Sequence, residues 1–169
     1  MRPLEKDFAP YYKGYIEQVK GDDIVNVLEE QLNTATKFFN SIPEGKGNYA
    51  YAEGKWSVKE LLGHVIDCER VFAYRALCIA RGEKQSLPGL EQDDYVKEAA
   101  FNKRTLKDLA DEFSFVRKSN LVLFKSFSER ELDKRGIASK NEVTVRAILF
   151  IIAGHCTHHI KVLKEKYGV

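Results

Sequence analysis

The sequence predicts an all-α protein, a four-helix bundle, and three observations lead there. Four stretches of roughly twenty residues carry apolar side chains at helical spacing. Each begins at a capping residue or ends at glycine or proline. No stretch shows the sustained apolar–polar alternation of a half-buried strand.

Taken in order, the first twenty residues hold Phe8, Tyr11, Tyr12, Tyr15 and Ile16 among charges and are expected to pack, with room for a short helix. The first long helix is predicted from about Asp22 to Ile42. Asp22 is its expected N-cap, Ile24, Val27, Leu28, Leu32, Ala35, Phe39 and Ile42 form its apolar stripe, and Pro43 stops it. The second has the sharpest start. Ser57-Val58-Lys59-Glu60 is a capping box, with Trp56 and Leu61 placed as a hydrophobic staple. Its stripe continues through Leu62, Val65, Cys68, Phe72, Ala76 and Ile79 to Gly82.

Glu83 to Lys103 reads as a loop-rich connection, and a connection of that length in a compact domain usually has a function. The third helix is predicted from about Thr105 to Phe127, with Leu106, Leu109, Phe113, Val116, Leu123 and Phe127 inward. Ser128-Glu129-Arg130-Glu131 repeats the capping-box pattern and could start a short turn. The last helix is predicted from Thr144 to about Tyr167, ending at Gly168. The expectation is one four-helix-bundle domain over residues 1–169.

Composition narrows the function. A net charge of +2, with acidic and basic residues interleaved, gives no field that calls for nucleic acid or an anionic membrane. No apolar run reaches the roughly 20 residues of a membrane span, and the first residues lack the apolar centre of a signal peptide. Three cysteines without a CxxC pair suit a reducing compartment. The expectation is a cytoplasmic protein.

The histidines carry the chemistry. His155 and His159 lie four apart inside the stripe Val145, Ile148, Leu149, Ile152, Cys156 and Leu163. That spacing puts two imidazoles about 6 Å apart on one helix face. His64 flanks the apolar face of the second helix, between Leu61 and Cys68, where it can supply a third nitrogen. His158 is about 100° around the helix from His159 and is expected to point away. A single buried histidine on a helix is ordinarily a satisfied core residue. Two imidazoles in an aliphatic stripe are harder to accommodate, because each buried ring nitrogen needs a partner. Three neutral imidazoles leave coordination positions open, as a catalytic metal site does.

Zinc, nickel, copper and iron all accept such ligands, with zinc or nickel preferred here. Cys68, four residues after His64, and Cys156, beside His155, are candidate further ligands, although buried cysteines commonly just pack. Asp67 is a candidate to orient a ligand, though an exposed helix carboxylate is the plainer reading. Two chemistries drop out. The motif His155-Cys156-Thr157-His158-His159 lacks the glutamate of a zincin protease. Glu60 and His64 are four apart, whereas a di-iron carboxylate bundle needs Glu-x-x-His.

The order of these motifs resembles the DinB-like superfamily, in particular its DinB/YfiT-like branch of metal-dependent hydrolases and thiol S-transferases. The resemblance rests on Arg2-Pro3 with Tyr11-Tyr12, on Gly54-Lys55-Trp56-Ser57-Val58-Lys59-Glu60-Leu61-Leu62-Gly63-His64, and on Glu69-Arg70-Val71-Phe72. Phe101-Asn102, Arg117, Ser119-Asn120-Leu121, Glu142-Val143-Thr144-Val145-Arg146, Ala153-Gly154-His155 and His158-His159 continue it in order. It implies a bundle whose three metal ligands fall on His64, His155 and His159. It also implies a metal-dependent S-transferase using a low-molecular-weight thiol and an electrophilic substrate, with a hydrolase or a non-catalytic metal-binding stress protein as alternatives, and a homodimeric assembly. The Glu83–Lys103 connection would then wall the substrate pocket, with Asp94 and Tyr95 as contacts.

Overall fold

The computed structural model describes residues 1–169. Four long helices form the bundle, as the periodicity predicts. A short helix α1 (Lys13–Glu17) precedes α2 (Ile24–Ser41), then come α3 (Val58–Ala80), a connecting helix α4 (Gln92–Ala99) and α5 (Leu106–Lys125). A single turn α6 (Glu129–Leu132), a hairpin of β1 (Arg135–Ala138) and β2 (Asn141–Thr144), and α7 (Val145–Val162) complete the chain. A π-helical turn over Leu163–Tyr167 and a left-handed Gly168 end it.

The helix starts follow local chemistry. The Ser57 hydroxyl accepts from the Glu60 amide at 3.3 Å, and the Glu60 carboxylate accepts from the Ser57 amide at 2.7 Å. Thr105 and Thr144 cap α5 and α7 through their hydroxyls, and Ser128 closes a second capping box at α6. At α2 the cap is Asp23, whose carboxylate accepts from the Asn26 amide at 3.2 Å, and not the predicted Asp22. Asp22 instead faces the Arg2 guanidinium at 3.9 Å.

The bundle is wound so that α2 packs against α5 and α7, and α3 packs against the same two. Helices consecutive in the chain, α2 and α3, therefore lie across the bundle from each other. Every residue of α7 from Val145 to Cys156 is buried, because α1 covers the side of α7 that the other long helices leave open. One charged network ties all four long helices together. The Arg117 guanidinium on α5 donates to the Glu69 carboxylate of α3 at 2.5 and 2.8 Å and to the Gln31 side chain of α2 at 2.8 Å. Gln31 in turn donates to the Ala153 carbonyl of α7 at 2.9 Å. The inward face of α5 carries Leu121 and Phe124 together with the buried Arg117, while the predicted Val116 and Leu123 are half-buried and pack against the core from its edges.

The hairpin is the element that the sequence pattern does not announce. Ala138 pairs with Asn141, and the two turn residues, Ser139 and Lys140, both have positive φ, 50° and 66°. Such two-residue turns normally advertise themselves with Asn-Gly or Asp-Gly. Here the conformation is imposed from outside, since Leu87 pairs with Ala138 and the Arg75 guanidinium holds the Ser139 hydroxyl at 3.0 Å. The Glu83–Lys103 connection is likewise more ordered than a loop, containing α4 and a 3₁₀ turn over Phe101–Lys103. No helix is long and apolar enough to cross a membrane.

Candidate metal centre

The capping box at Ser57 fixes where α3 starts, and burial of the helix's apolar stripe turns the neighbouring His64 inward. Gly154 lets α7 approach α1 closely. A Cβ there would lie 2.0 Å from the Tyr15 carbonyl oxygen, and this contact seats Tyr15 against the His155 ring, 5.4 Å between centroids. One helical turn on, His159 shares the face of His155.

Three imidazoles converge as a result. The Nε2 atoms of His64 and His155 are 3.1 Å apart, as are those of His159 and His155. One ring nitrogen from each histidine falls within 4.8 Å of the other two. Two nitrogens bound to one zinc-sized ion, each about 2.1 Å from it, sit roughly 3.0–3.4 Å apart, so the spacing fits a shared ion.

The donor set itself also fits. Burial is the first cause lowering the pKa of all three histidines, to about 4 at His64 and about 3 at His159, with His155 also well below its usual range. The rings are therefore neutral at pH 7, and each carries one N–H and one lone pair. A proton on the His155 Nε2 can answer only one of the two facing nitrogens, whereas a divalent cation answers all three. The His159 Nδ1 is buried with no hydrogen-bond partner, which makes this ring hard to explain as a core residue chosen for its own hydrogen bonds. His64, His155 and His159 could hold a metal.

The neighbouring candidates separate cleanly. His158 is half-buried against Tyr15 and stays outside the cluster. The Cys68 sulfur lies 3.6 Å from both ring nitrogens of His64 but does not join the three-nitrogen group. Burial pushes its thiol up to about 12. Cys156 belongs to the core between the helices, and Arg117 and Glu69 act on its buried thiol. Asp67 shares no hydrogen bond with any of the three histidines, and burial raises its carboxyl above the usual range.

Two clefts reach the histidines. A cavity of about 520 Å³ opens onto His155, and Tyr11, Tyr12, Tyr15, Phe72, Arg75 and Cys68 are among its walls. A second cleft of about 360 Å³ reaches His159 and His158 past Trp56. The Glu83–Lys103 connection does wall the larger cavity, through Leu90 to Asp94. Of the two contacts expected there, Asp94 lines it and Tyr95 does not. Asp93, which nothing in its sequence context marks, borders both clefts. Burial raises the pKa of Tyr12 and Tyr15, with Tyr11 adding to the shift at Tyr15, so both phenols stay protonated as hydrogen-bond donors. The arrangement offers three neutral nitrogen ligands, open space beside them, and a wall of phenols, acids and one guanidinium.

A family model described as the DinB superfamily matches residues 28–163. Among solved structures, YfiT from Bacillus subtilis, described as a probable metal-dependent hydrolase with an unusual four-helix bundle topology, superposes with a TM-score of 0.77 at 16% identity. The match covers 99% of this chain and 94% of that one. A mycothiol-dependent maleylpyruvate isomerase superposes with a TM-score of 0.69 at 11% identity, over 86% of this chain and 61% of the isomerase. At these identities the likeness is one of fold. No curated protein matches the sequence.

Proposed function

The chain belongs to the DinB superfamily, and from that premise we propose that it holds one divalent ion, zinc or nickel, through His64, His155 and His159 and works as a metal-dependent S-transferase. The co-substrates are a low-molecular-weight thiol and a small electrophile. We take the working unit to be a homodimer acting in the cytoplasm. The observation that carries the catalytic reading is the open, polar cavity against His155. A protein that only stored metal would need neither the space nor the polar wall.

When bound, such an ion supplies Lewis acidity sufficient to keep a thiol or a water deprotonated at neutral pH. The chain's own residues do the rest. His64, His155 and His159 stay neutral and lose no affinity to protonation at pH 7. Trp56, with its ring centroid 4.7 Å from that of His64, and Phe72, 6.0 Å from His155, set apolar faces beside the ligand set in the walls of the two clefts. Tyr15 keeps its proton and is placed beside His155 to donate to charge developing on a substrate. The Cys68 thiol, protonated at neutral pH, does not compete as a nucleophile.

A hydrolase is the second reading, favoured by the description of YfiT. One experiment separates the two. Natively purified protein is analysed for metal, then for His64→Ala, His155→Ala, His159→Ala and His158→Ala. The first three variants should fall well below one ion per chain and the fourth should not; equal occupancy in all four refutes the site. Cobalt-substituted wild type should develop a thiolate charge-transfer band on addition of bacillithiol, and His159→Ala should not. If no thiol perturbs the cobalt spectrum while simple esters or amides are cleaved, the hydrolase reading replaces the transferase.

A further inference from the structure

Three arginines are buried in this molecule: Arg75, Arg117 and Arg146. A buried guanidinium is costly unless its charge is answered. Arg117 is answered by Glu69, and Arg146 by Glu129 and Asp133. Buried Lys59 likewise has Glu44 at 2.8 Å. Arg75 is only 4% exposed, yet no carboxylate lies within 4.0 Å of its guanidinium. Its partners are two neutral oxygens, both on one nitrogen: Nη2 donates to the Pro88 carbonyl at 2.6 Å and to the Ser139 hydroxyl at 3.0 Å. Nε and Nη1 donate to no carboxylate or carbonyl, and the neutral Tyr12 hydroxyl is the other polar group beside the guanidinium.

Arg75 is also the one member of this group that lines the cavity opening onto His155. Its guanidinium sits 5.5 Å from the Phe72 ring, which also meets the His155 ring at 6.0 Å and the Tyr12 ring at 6.2 Å. The unanswered cation and the histidine cluster are thus separated by a single aromatic side chain. The two oxygens that hold Nη2 come from segments joined by the Leu87–Ala138 bridge, so the guanidinium is fixed before anything binds.

We propose that Arg75 anchors a carboxylate group of the small molecule taken by this cavity, holding it one aromatic ring away from the histidine cluster. The inference names the substrate class for the site proposed above and rests on that reading only in taking this cavity as the place of binding. A singly charged anion is the match. With Nη2 taken, Nε and Nη1 point their hydrogens to different edges of the guanidinium and offer single bonds rather than a fork. Glu91, Asp93 and Asp94 line the same cavity, which repels a doubly charged phosphate ester more than a monocarboxylate. The tyrosines and Phe72 suit an apolar or aromatic body behind the carboxylate.

The test uses 3-phenylpropionate and its neutral amide as probes, titrated calorimetrically into natively purified protein at pH 7.5. Wild type should bind the acid at least tenfold more tightly than the amide. Arg75→Gln should remove that preference, and Arg75→Lys should retain part of it. Ser139→Ala, which frees one side of the guanidinium, should weaken the preference severalfold and covers the case in which Arg75→Gln fails to fold. His159→Ala should keep the preference, because it resides in the arginine and not in a metal ion. That arm separates this inference from the metal site, whose failure would appear as undiminished metal in His159→Ala. Equal binding of acid and amide by wild type overturns the proposal, as does a preference that survives Arg75→Gln. Tighter binding of phenethyl phosphate than of 3-phenylpropionate overturns the carboxylate assignment.

Discussion

Arg117 has no exposed surface and meets a Glu69 carboxylate that is almost as enclosed, so each charge depends on the other. Removing one member of such a pair leaves an uncompensated buried charge, at a cost of about 3–5 kcal/mol. Glu69→Gln conserves volume and should lower unfolding free energy in urea by about that amount, while folded protein keeps its metal content. A loss under about 1 kcal/mol would show that the pair does not stabilise the bundle in this way. The same scale explains what spacing could and could not reveal. His155 and His159 are legible because i, i+4 pairs share a helix face. Arg75 and Arg117 are not legible, since an arginine in a sequence reads as solvent-facing until a partner or a cavity is seen.

Among the elements, α7 carries the sharpest constraint. Glycine in a helix interior costs about 1 kcal/mol relative to alanine, so Gly154 looks like a weakness of the helix that bears His155. Its use appears only when α1 is placed, because a Cβ would collide with the backbone of Tyr15. Gly154→Ala is expected to lower stability by roughly 1–3 kcal/mol, the usual cost of overpacking, despite its better helix propensity. Because the displaced α1 carries Tyr15 away from His155, metal affinity should fall as well. A variant with a raised melting temperature and unchanged metal binding would contradict the close α1–α7 contact. The hairpin teaches a related lesson. Its turn residues, Ser139 and Lys140, adopt positive φ without the glycine or asparagine that would announce it, since contacts from Leu87 and Arg75 hold the turn in place.

For the molecule as a whole, the core does not depend on metal. Two apolar clusters, one built around Leu28, Phe124 and Phe150 and the other around Phe39, Leu62 and Phe113, fill the bundle on their own. Chelation should therefore leave the helical circular dichroism largely intact and lower the melting temperature modestly, by mass action. Collapse of the helical signal would make the site structural, as in a zinc finger. Acid should destabilise the metal-free protein as well. The unfolded chain binds protons at His64 and His159 near pH 6.5, while the folded chain resists until about 4 and about 3. The stability these groups contribute is fully present above pH 6.5 and is lost as pH falls from there toward 4. Melting temperatures of the metal-free protein at pH 7.5 and 4.5 should show the decline, and His64→Ala should make it shallower.

The sequence by itself determined the four helices, the capping box at Ser57, helix starts near Thr105 and Thr144, and the shared helix face of His155 and His159. These are consequences of short-range periodicity and backbone hydrogen bonding, which neighbouring residues dictate. Only the tertiary structure decided the crossed order of the bundle, the hairpin, the burial of Arg117 against Glu69, and the exposure of an unanswered Arg75 to the cavity beside His155. Each of those depends on a partner distant in the chain. Whether a charge or a strained turn is tolerable is settled by what packs against it, and local sequence does not record that.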